Sequence, residues 1–440
     1  MTGRLEVRYK IAVLYFRNLN PDTQVSHISF GVSEDILHKL TRVACLDVVS
    51  RGDVLPCRGR DIDTCELGRC MGVDYVVEGA INTDGDSLQI GTRLIDVSRG
   101  GAVWEDQIEC FGGELLAVPA EVASKIVENL AVELTPAEKS ALVRPATTDF
   151  EAYHDYMRGR EFLSGLGKAN NAEAIRALES AVTRDKKFAA AYVGLAEAYS
   201  NMYNFYDSAV VWLEKTKKAC ETAIEIDSGF VEARFQLGLV YFHKRDFDQA
   251  RAIFNEVISM RPQYYQAYRW LGIIADMTAQ YDEALGYYKK CTELKPCSVE
   301  PWLYMNMTYR RKGDVESAKY AAQRFLEVGL KTLQVIPDDP VTLSRFSVIY
   351  TLFGDRDKAY EAVSRILASD PEDGLVLYNC AATYALLGDS ARALECLRKA
   401  LAGGYKNIRE WIDTDPDFGD LRASKEFRDL LSEFDRIHGD

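Results

Sequence analysis

The 440-residue chain is poor in the side chains and motifs on which most catalysis depends. Its five histidines, His27, His38, His154, His243 and His438, are scattered along the sequence. No GxxxxGK is present, and "GLGKANNA" around Gly165 has the wrong spacing for a phosphate loop. GxSxG and HExxH are missing as well. Neither a P-loop nucleotidase nor a motif-bearing hydrolase or zinc protease fits, so no enzyme and no cofactor is expected. Long apolar runs are also lacking. The longest near the start, "IAVLYF", follows charged residues and is far too short for a signal peptide or a membrane span. A cytoplasmic protein without a membrane partner is expected. Nor is there a basic excess: net charge is −14, divided evenly on either side of residue 148. That field repels phosphate backbones, and no nucleic-acid partner is expected.

Cysteine is not scarce, but it lacks the pattern that would give it chemistry. Of ten cysteines, three cluster in "CRGRDIDTCELGRC". Cys65 and Cys70 stand five apart with no neighbouring histidine and no CxxC pair, unlike zinc spacing. A metal or disulfide site is the sharper alternative; reduced thiols packing as small hydrophobes are the expectation, and no metal site is assigned.

What is present is a ruler. In "LGIIADMTAQYDEALGYYKKCTELKP", setting Leu271 as position 7 puts Gly272 at 8, Ala284 at 20, Tyr288 at 24 and Pro296 at 32. Thirty-four residues earlier stand Leu237, Gly238, Ala250, Phe254 and Pro262, and 34 later Met305, Tyr309, Gly313 and Ala318. A frame displaced by seven residues gives Phe346, Tyr350, Gly354, Ala359 and Pro371, followed by Tyr384, Gly388, Ala393 and Ala400. Earlier units show Ala174, Leu178 and Ala181, then Tyr192, Leu195, Ala196 and Tyr199, with about eight extra residues around "NMYNFYDSAVVW". A fixed period of this length is a repeat array of helix pairs. Positions 4, 7, 8 and 11 share one face of the first helix, and 20, 24 and 27 one face of the second. No pair hides its apolar face alone, so the pairs stack into an all-α solenoid of six expected units over 150–404. A cap at 405–440 covers the last face.

The first 135 residues read otherwise. "KIAVLYF" and "CLDVVSR" are strand-like, and "SEDILHKLTRV" has helical spacing with Ser33 as a plausible N-cap. "IDTCELGRCMGV" is a second helix ending near Gly72. Three β segments follow, joined by "DGDS" and "SRGG", and a helix from Glu114 to about Leu134 closes the region. An α/β domain is expected, a mixed sheet with helices packed on it, joined to the solenoid by a linker at 136–149. "KIAVLYFRNLN", "GVSEDILHKLTRV", "LDVVSR", "ELGRCMGVDYVVEGAI" and "LQIGTRLIDVSRGGAVWEDQIE" together resemble the TolB-like amino-terminal domain, which in bacteria is often followed by tetratricopeptide repeats. The resemblance implies a regulatory setting, since relatives join such domains to class III adenylate cyclases, winged-helix regulators or kinases.

In the repeat family, positions 2, 5, 9, 12 and 13 line the inner groove. Those positions, with the intervening 6, give Asn201, Phe235, His243, Arg269, Trp270, Tyr304, Arg310, Arg311, Arg345 and Asn379. Guanidinium forks and aromatic plates suit a partner protein or peptide with acidic groups. The alternative is that these arginines pair with nearby carboxylates as a solvated face. The inserted "NMYNFY" is either a lid over the groove or filler under a longer loop. The expected function is a non-enzymatic scaffold or regulatory subunit; alternatively, the first domain senses a small molecule or nucleotide. A homodimer through an exposed edge strand is the third possibility.

Overall fold

The computed structural model describes residues 8–20, 26–59, 62–85, 87–165, 167–207, 209–335, 340–368, 371, 373–402, 409, 412–413 and 415–438. Asp86, in the expected "DGDS" turn, and residues 405–408 of the expected cap lie outside them. The chain divides into two compact units, one of Met1–Tyr199 with Glu214–Leu271, the other of Ser200–Leu213 with Gly272–Asp440.

The first unit opens with a six-stranded mixed sheet of order β3-β1-β4-β5-β6. Strand β1 (Tyr9–Val13) runs parallel to both β3 (Leu46–Val48) and β4 (Tyr75–Asp84), and β2 (Arg17–Asn18) continues alongside β4. Ile11, Ala12 and Val13 are all buried, as a central strand covered on both faces requires. Strands β4, β5 (Ser87–Asp96) and β6 (Gly101–Phe111) form the expected antiparallel meander. Its second turn is set by the Asp96 carboxylate, which accepts from the Ser98 and Arg99 N–H groups, and by Gly100 at φ 73°.

Helix α1 (Ser26–Leu40) joins β1 to β3; after it come a one-turn α2 (Arg51–Val54) and α3 (Thr64–Met71). Asp63 caps α3 by accepting from Glu66 N–H, and Gly72 ends it in the left-handed conformation. Ser33 is not an N-cap. It lies seven residues inside α1, where its hydroxyl donates to the Ser29 carbonyl and accepts from the Phe16 N–H. The domain closes with a short 3₁₀ turn and α4 (Val118–Asn129). The expected linker is also different: Thr135 and Glu138 form a capping box, and Pro136 starts a helix, α5 (Pro136–Val143), instead of breaking one.

Among the described residues seven successive helix pairs follow, one more than the six expected. They are α6 (Phe150–Ser164) with α7 (Lys168–Arg184), α8 (Ala189–Asn201) with α9 (Val210–Ile226), and α10 (Val231–His243) with α11 (Phe247–Met260). Next are α12 (Tyr265–Met277) with α13 (Tyr281–Leu294), and α14 (Glu300–Lys312) with α15 (Val315–Val335). The last are α16 (Pro340–Leu352) with α17 (Arg356–Leu367), and α18 (Gly374–Leu386) with α19 (Ser390–Ala402). The seven-residue displacement of the frame is partly taken up by α15, which runs for 21 residues. Within a pair, the side chain at position 24 lies over the glycine at position 8. A Cβ on Gly238 would stand 2.5 Å from Phe254, and one on Gly272 2.5 Å from Tyr288. Gly159 meets Leu178 in the same way, which makes Gly159 position 8 of the first unit.

In the second unit the chain ends in two 3₁₀ turns, Pro416–Phe418 and Leu421–Ala423, and a terminal helix, Lys425–His438. Phe418, Phe427, Leu430 and Leu431 are buried in one cluster with Cys380, Ala381, Leu397 and Ala400 of the last pair.

Candidate functional site

Position 9 of the first two repeats carries charge, Arg160 after Gly159 and Glu197 after Ala196. In the first unit these two do not face an open groove. Arg160 makes a buried ion pair with Glu34 of α1 at 2.7 Å and a part-buried one with Glu197 at 2.8 Å. Arg51 of α2 pairs with the same two carboxylates, at 3.0 Å to Glu34 and by a short contact to Glu197. The Tyr15 hydroxyl completes the cluster by donating to Glu34. Burial alone would raise the Glu197 carboxyl, but the two guanidiniums outweigh it and pull it down to about 2.

The docking of the sheet domain extends well beyond this cluster. Arg42 reaches Asp227 at 2.8 Å, the His38 ring stacks on Phe230, and Gln266, at position 2 of its repeat, donates to the Ser50 hydroxyl. Lys39 donates to the carbonyls of Leu142, in the last turn of α5, and of Arg144, its C-cap. Helix α1 crosses α6 so closely that a Cβ on Gly31 would lie 2.1 Å from Met157 Cγ. The inner positions of the first repeats thus hold the chain's own sheet domain.

The ten expected groove residues fall into separate places. In the first unit, Phe235 is a core residue, against Phe254 at 5.7 Å and Tyr264 at 5.3 Å. His243 and Trp270 both contact Phe242, at 5.4 and 4.7 Å, and the Arg269 guanidinium stands over Trp270. This half-exposed aromatic group is the part of the expectation the first unit brings together. Burial lowers the His243 imidazole to about 4.

In the second unit, Asn201 ends α8, and "MYNFY" continues it as a π-helical turn, Met202–Tyr206, with Met202 buried. Tyr304 stacks on Tyr288 of the preceding repeat. Arg345 pairs with Glu300 at 2.9 Å, Arg311 pairs with Asp276, and the Asn379 amide donates to the Ser344 hydroxyl. Arg311 and Arg345 thus each pair with a carboxylate of the chain, Arg345 as a buried residue.

Arg310 differs because its partner comes from the terminal segment. Arg310 pairs with Asp417 at 2.8 Å; the Tyr378 hydroxyl donates to Asp415 at 2.6 Å; and the Phe418 ring packs 5.2 Å from Tyr378, fully buried. Tyr378 is position 5 of its repeat and Arg310 position 12, both groove positions. Asp415 caps the 3₁₀ turn by accepting from Asp417 N–H, and the Arg422 guanidinium donates to the Asp415 and Ile412 carbonyls, fixing the bend. Burial and the neighbouring Asp415 push the Asp417 carboxyl up to about 6, against the pull of Arg310. Asp415, Asp417 and Phe418 were not singled out from the sequence. The available signal was two aspartates and an aromatic in "DPDF".

Among the described residues, no group of three or more His, Cys, Asp or Glu side chains is placed to hold a metal ion. None of the ten cysteines is joined in a disulfide. No described helix is long and apolar enough to cross a membrane.

Residues 231–296 match the tetratricopeptide repeat family, and residues 7–125 match the second domain of HilA/YgeH-like transcriptional regulators. A Rhizobium meliloti (strain 1021) protein with the provisional name adenylate cyclase 3 is 28% identical over 249 residues, 56% of this chain and 42% of its own. A Pseudomonas putida protein with the provisional name biofilm formation methyltransferase WspC is 28% identical over 82 residues, 19% of each chain. The chain therefore spans less than half the length of either curated relative. Among solved structures, a tetratricopeptide repeat protein from Parabacteroides merdae aligns with TM-score 0.41 and 13% identity, over 60% of this chain and 98% of its own. PilW, a type IV pilus biogenesis factor, aligns with TM-score 0.39 and 18% identity, over 51% and 96%. MamA aligns with TM-score 0.34 and 20% identity, over 40% and 96%. With every TM-score below 0.5, the repeat assignment rests on the family match and the glycine-to-aromatic packing of the helix pairs. The chain carries tetratricopeptide repeats, preceded in sequence by a small mixed-sheet domain whose match is to HilA/YgeH-like regulators.

Proposed function

We propose that this chain is a non-enzymatic regulatory scaffold whose repeats hold a partner protein through an acidic segment. The observation that carries the reading is the engagement of Asp415, Asp417 and Phe418 by groove-position side chains in the second unit. A repeat surface that seats one short acidic stretch has the chemistry to seat another. The test is affinity capture from the source cell with three baits: the wild-type chain, Phe418→Ala and the tag alone. A protein enriched by the chain and rebinding it when purified supports the reading. If neither form of the chain enriches anything above the tag, the reading fails.

A second reading draws on the match of residues 7–125 to regulators and on the relative named for a cyclase. The sheet domain would bind a small molecule or nucleotide, and its tie to the first repeats through Glu34, Arg51, Arg160 and Glu197 would carry the response. Thermal-shift screening against nucleotides and metabolites decides it; no shift across the panel removes it. Self-association along the β6 edge is disfavoured by charge, since two antiparallel copies would bring Glu105, Asp106 and Glu109 of each near those of the other.

A further inference from the structure

We infer that the surface formed by Arg310 and Tyr378 is a recognition site for acidic peptides carrying an aromatic residue, and that the chain's own Asp415–Phe418 segment occupies it as a displaceable stand-in. This deepens the scaffold reading and rests on it. Three features give the site its selectivity. The Arg310 guanidinium takes one carboxylate at 2.8 Å, the Tyr378 hydroxyl takes a second at 2.6 Å, and the slot beside the Tyr378 ring takes an aromatic side chain out of water. Arg311 stands near the second carboxylate, its own positive form weakened by burial and supported by Asp415 and Tyr378.

Among the described residues the segment is held by side chains and by its own turn, with no backbone hydrogen bond to the repeats. Asp415 caps Asp417, and Arg422 holds two carbonyls of the same stretch, so the bend is made within the segment. A free peptide of this sequence carries most of the geometry it needs. The two carboxylates are also crowded: Asp417 is disfavoured in its charged form by burial and by Asp415. A peptide with better spaced acids would meet the same burial at Arg310 but less repulsion between its carboxylates, and that difference favours its exchange for the segment.

The probe is a fluorescent peptide of residues 412–422, which includes Arg422 and the two carbonyls it holds, followed by anisotropy. Phe418→Ala empties the aromatic slot while leaving Arg310 and Tyr378 in place. The peptide is expected to bind this variant at least tenfold more tightly than wild type and to raise its melting temperature. Adding Arg310→Ala to Phe418→Ala should cost tenfold or more, and a peptide with the residues at 415 and 417 changed from aspartate to asparagine should bind similarly poorly. Absence of binding to a folded Phe418→Ala chain, or binding indifferent to Arg310→Ala, overturns the proposal. Should Phe418→Ala fail to fold, the same peptide with a photoreactive phenylalanine at the aromatic position is crosslinked to wild type at high concentration. Crosslinks in α14 and α18 support the site, and crosslinks confined elsewhere sink it. A cellular partner captured equally well after Arg310→Ala defeats this site but leaves the scaffold reading standing. Peptide binding without any cellular partner does the reverse.

Discussion

Four charges, Glu34, Arg51, Arg160 and Glu197, meet in the first unit with each arginine touching both carboxylates. Such a cluster is neutral as a whole, and its worth depends on staying so. Arg160→Ala leaves one buried and one part-buried carboxylate with a single guanidinium and should cost about 3 kcal/mol in urea denaturation. Removing Glu34 as well, by Glu34→Leu with Arg160→Met, leaves the Arg51–Glu197 pair intact and should recover most of that loss. Equal losses in the single and double variants would show that shape, not charge, sets the effect. The histidines give a separate dependence on pH. Burial, and after it the charge of Arg42, lower His38 to about 3, and burial lowers His27 and His243 to about 4, against an ordinary value of 6.5. The unfolded chain then binds protons that the folded chain refuses, so this stability is complete above pH 6.5 and is lost as pH falls towards 4. Glu197 adds a further loss between about 4.5 and 2. In melts from pH 7.5 to 4.5, His38→Gln should lose less melting temperature than wild type. A parallel pair of curves would contradict the assignment.

At the scale of the helix, the clearest reading from sequence was the 34-residue ruler, because each mark answers to one packing demand. Position 8 must be small where position 24 is large, and Gly272 lies under Tyr288 for that reason. Gly286, in the second helix of the same repeat, is exposed with nothing near it. Gly286→Ala should therefore stabilise by about 0.5–1 kcal/mol through helix propensity alone. Gly272→Ala gains the same propensity but drives a methyl into the tyrosine ring, and overpacking of about 1–3 kcal/mol should leave it a net loss. Chemical denaturation of the two variants should move in opposite directions. Helix α1 was legible only in part. The helical spacing of "SEDILHKLTRV" accounts for the buried Ile36 and Leu40, but Ser29, Ser33, Glu34, Asp35 and Lys39 are buried as well. Their partners, among them Phe16, Arg160, Tyr153 and the Leu142 carbonyl, are distant in sequence, and periodicity carries no trace of them. The groove arginines show the same limit. Position numbers identified the face on which Arg310 and Arg345 lie, but not that Asp417 and Glu300 would already be there.

At the scale of the molecule, the first unit joins what the sequence suggested were two domains and a linker. Helix α1 packs on α6 as it does on the domain's own α4, and α5 supplies carbonyls to Lys39. Removed from the repeats, the sheet domain would expose the second face of α1, take Arg160 away from Glu34 and leave the buried Asp35 without Tyr153, at several kcal/mol of desolvation and lost pairing. The sheet and the first repeats should consequently lose structure together. Gly31→Val tests this, because it wedges the α1–α6 contact at Met157 and touches neither the sheet nor the repeat-to-repeat packing. Hydrogen exchange followed by mass spectrometry should show protection falling together in β1, β4 and α6, by a common factor set by the overpacking. If α6 alone loosens while β1 and β4 keep wild-type protection, the sheet domain is independent of the repeats. The four-charge cluster would then be a contact between two separate folding units, not the centre of one.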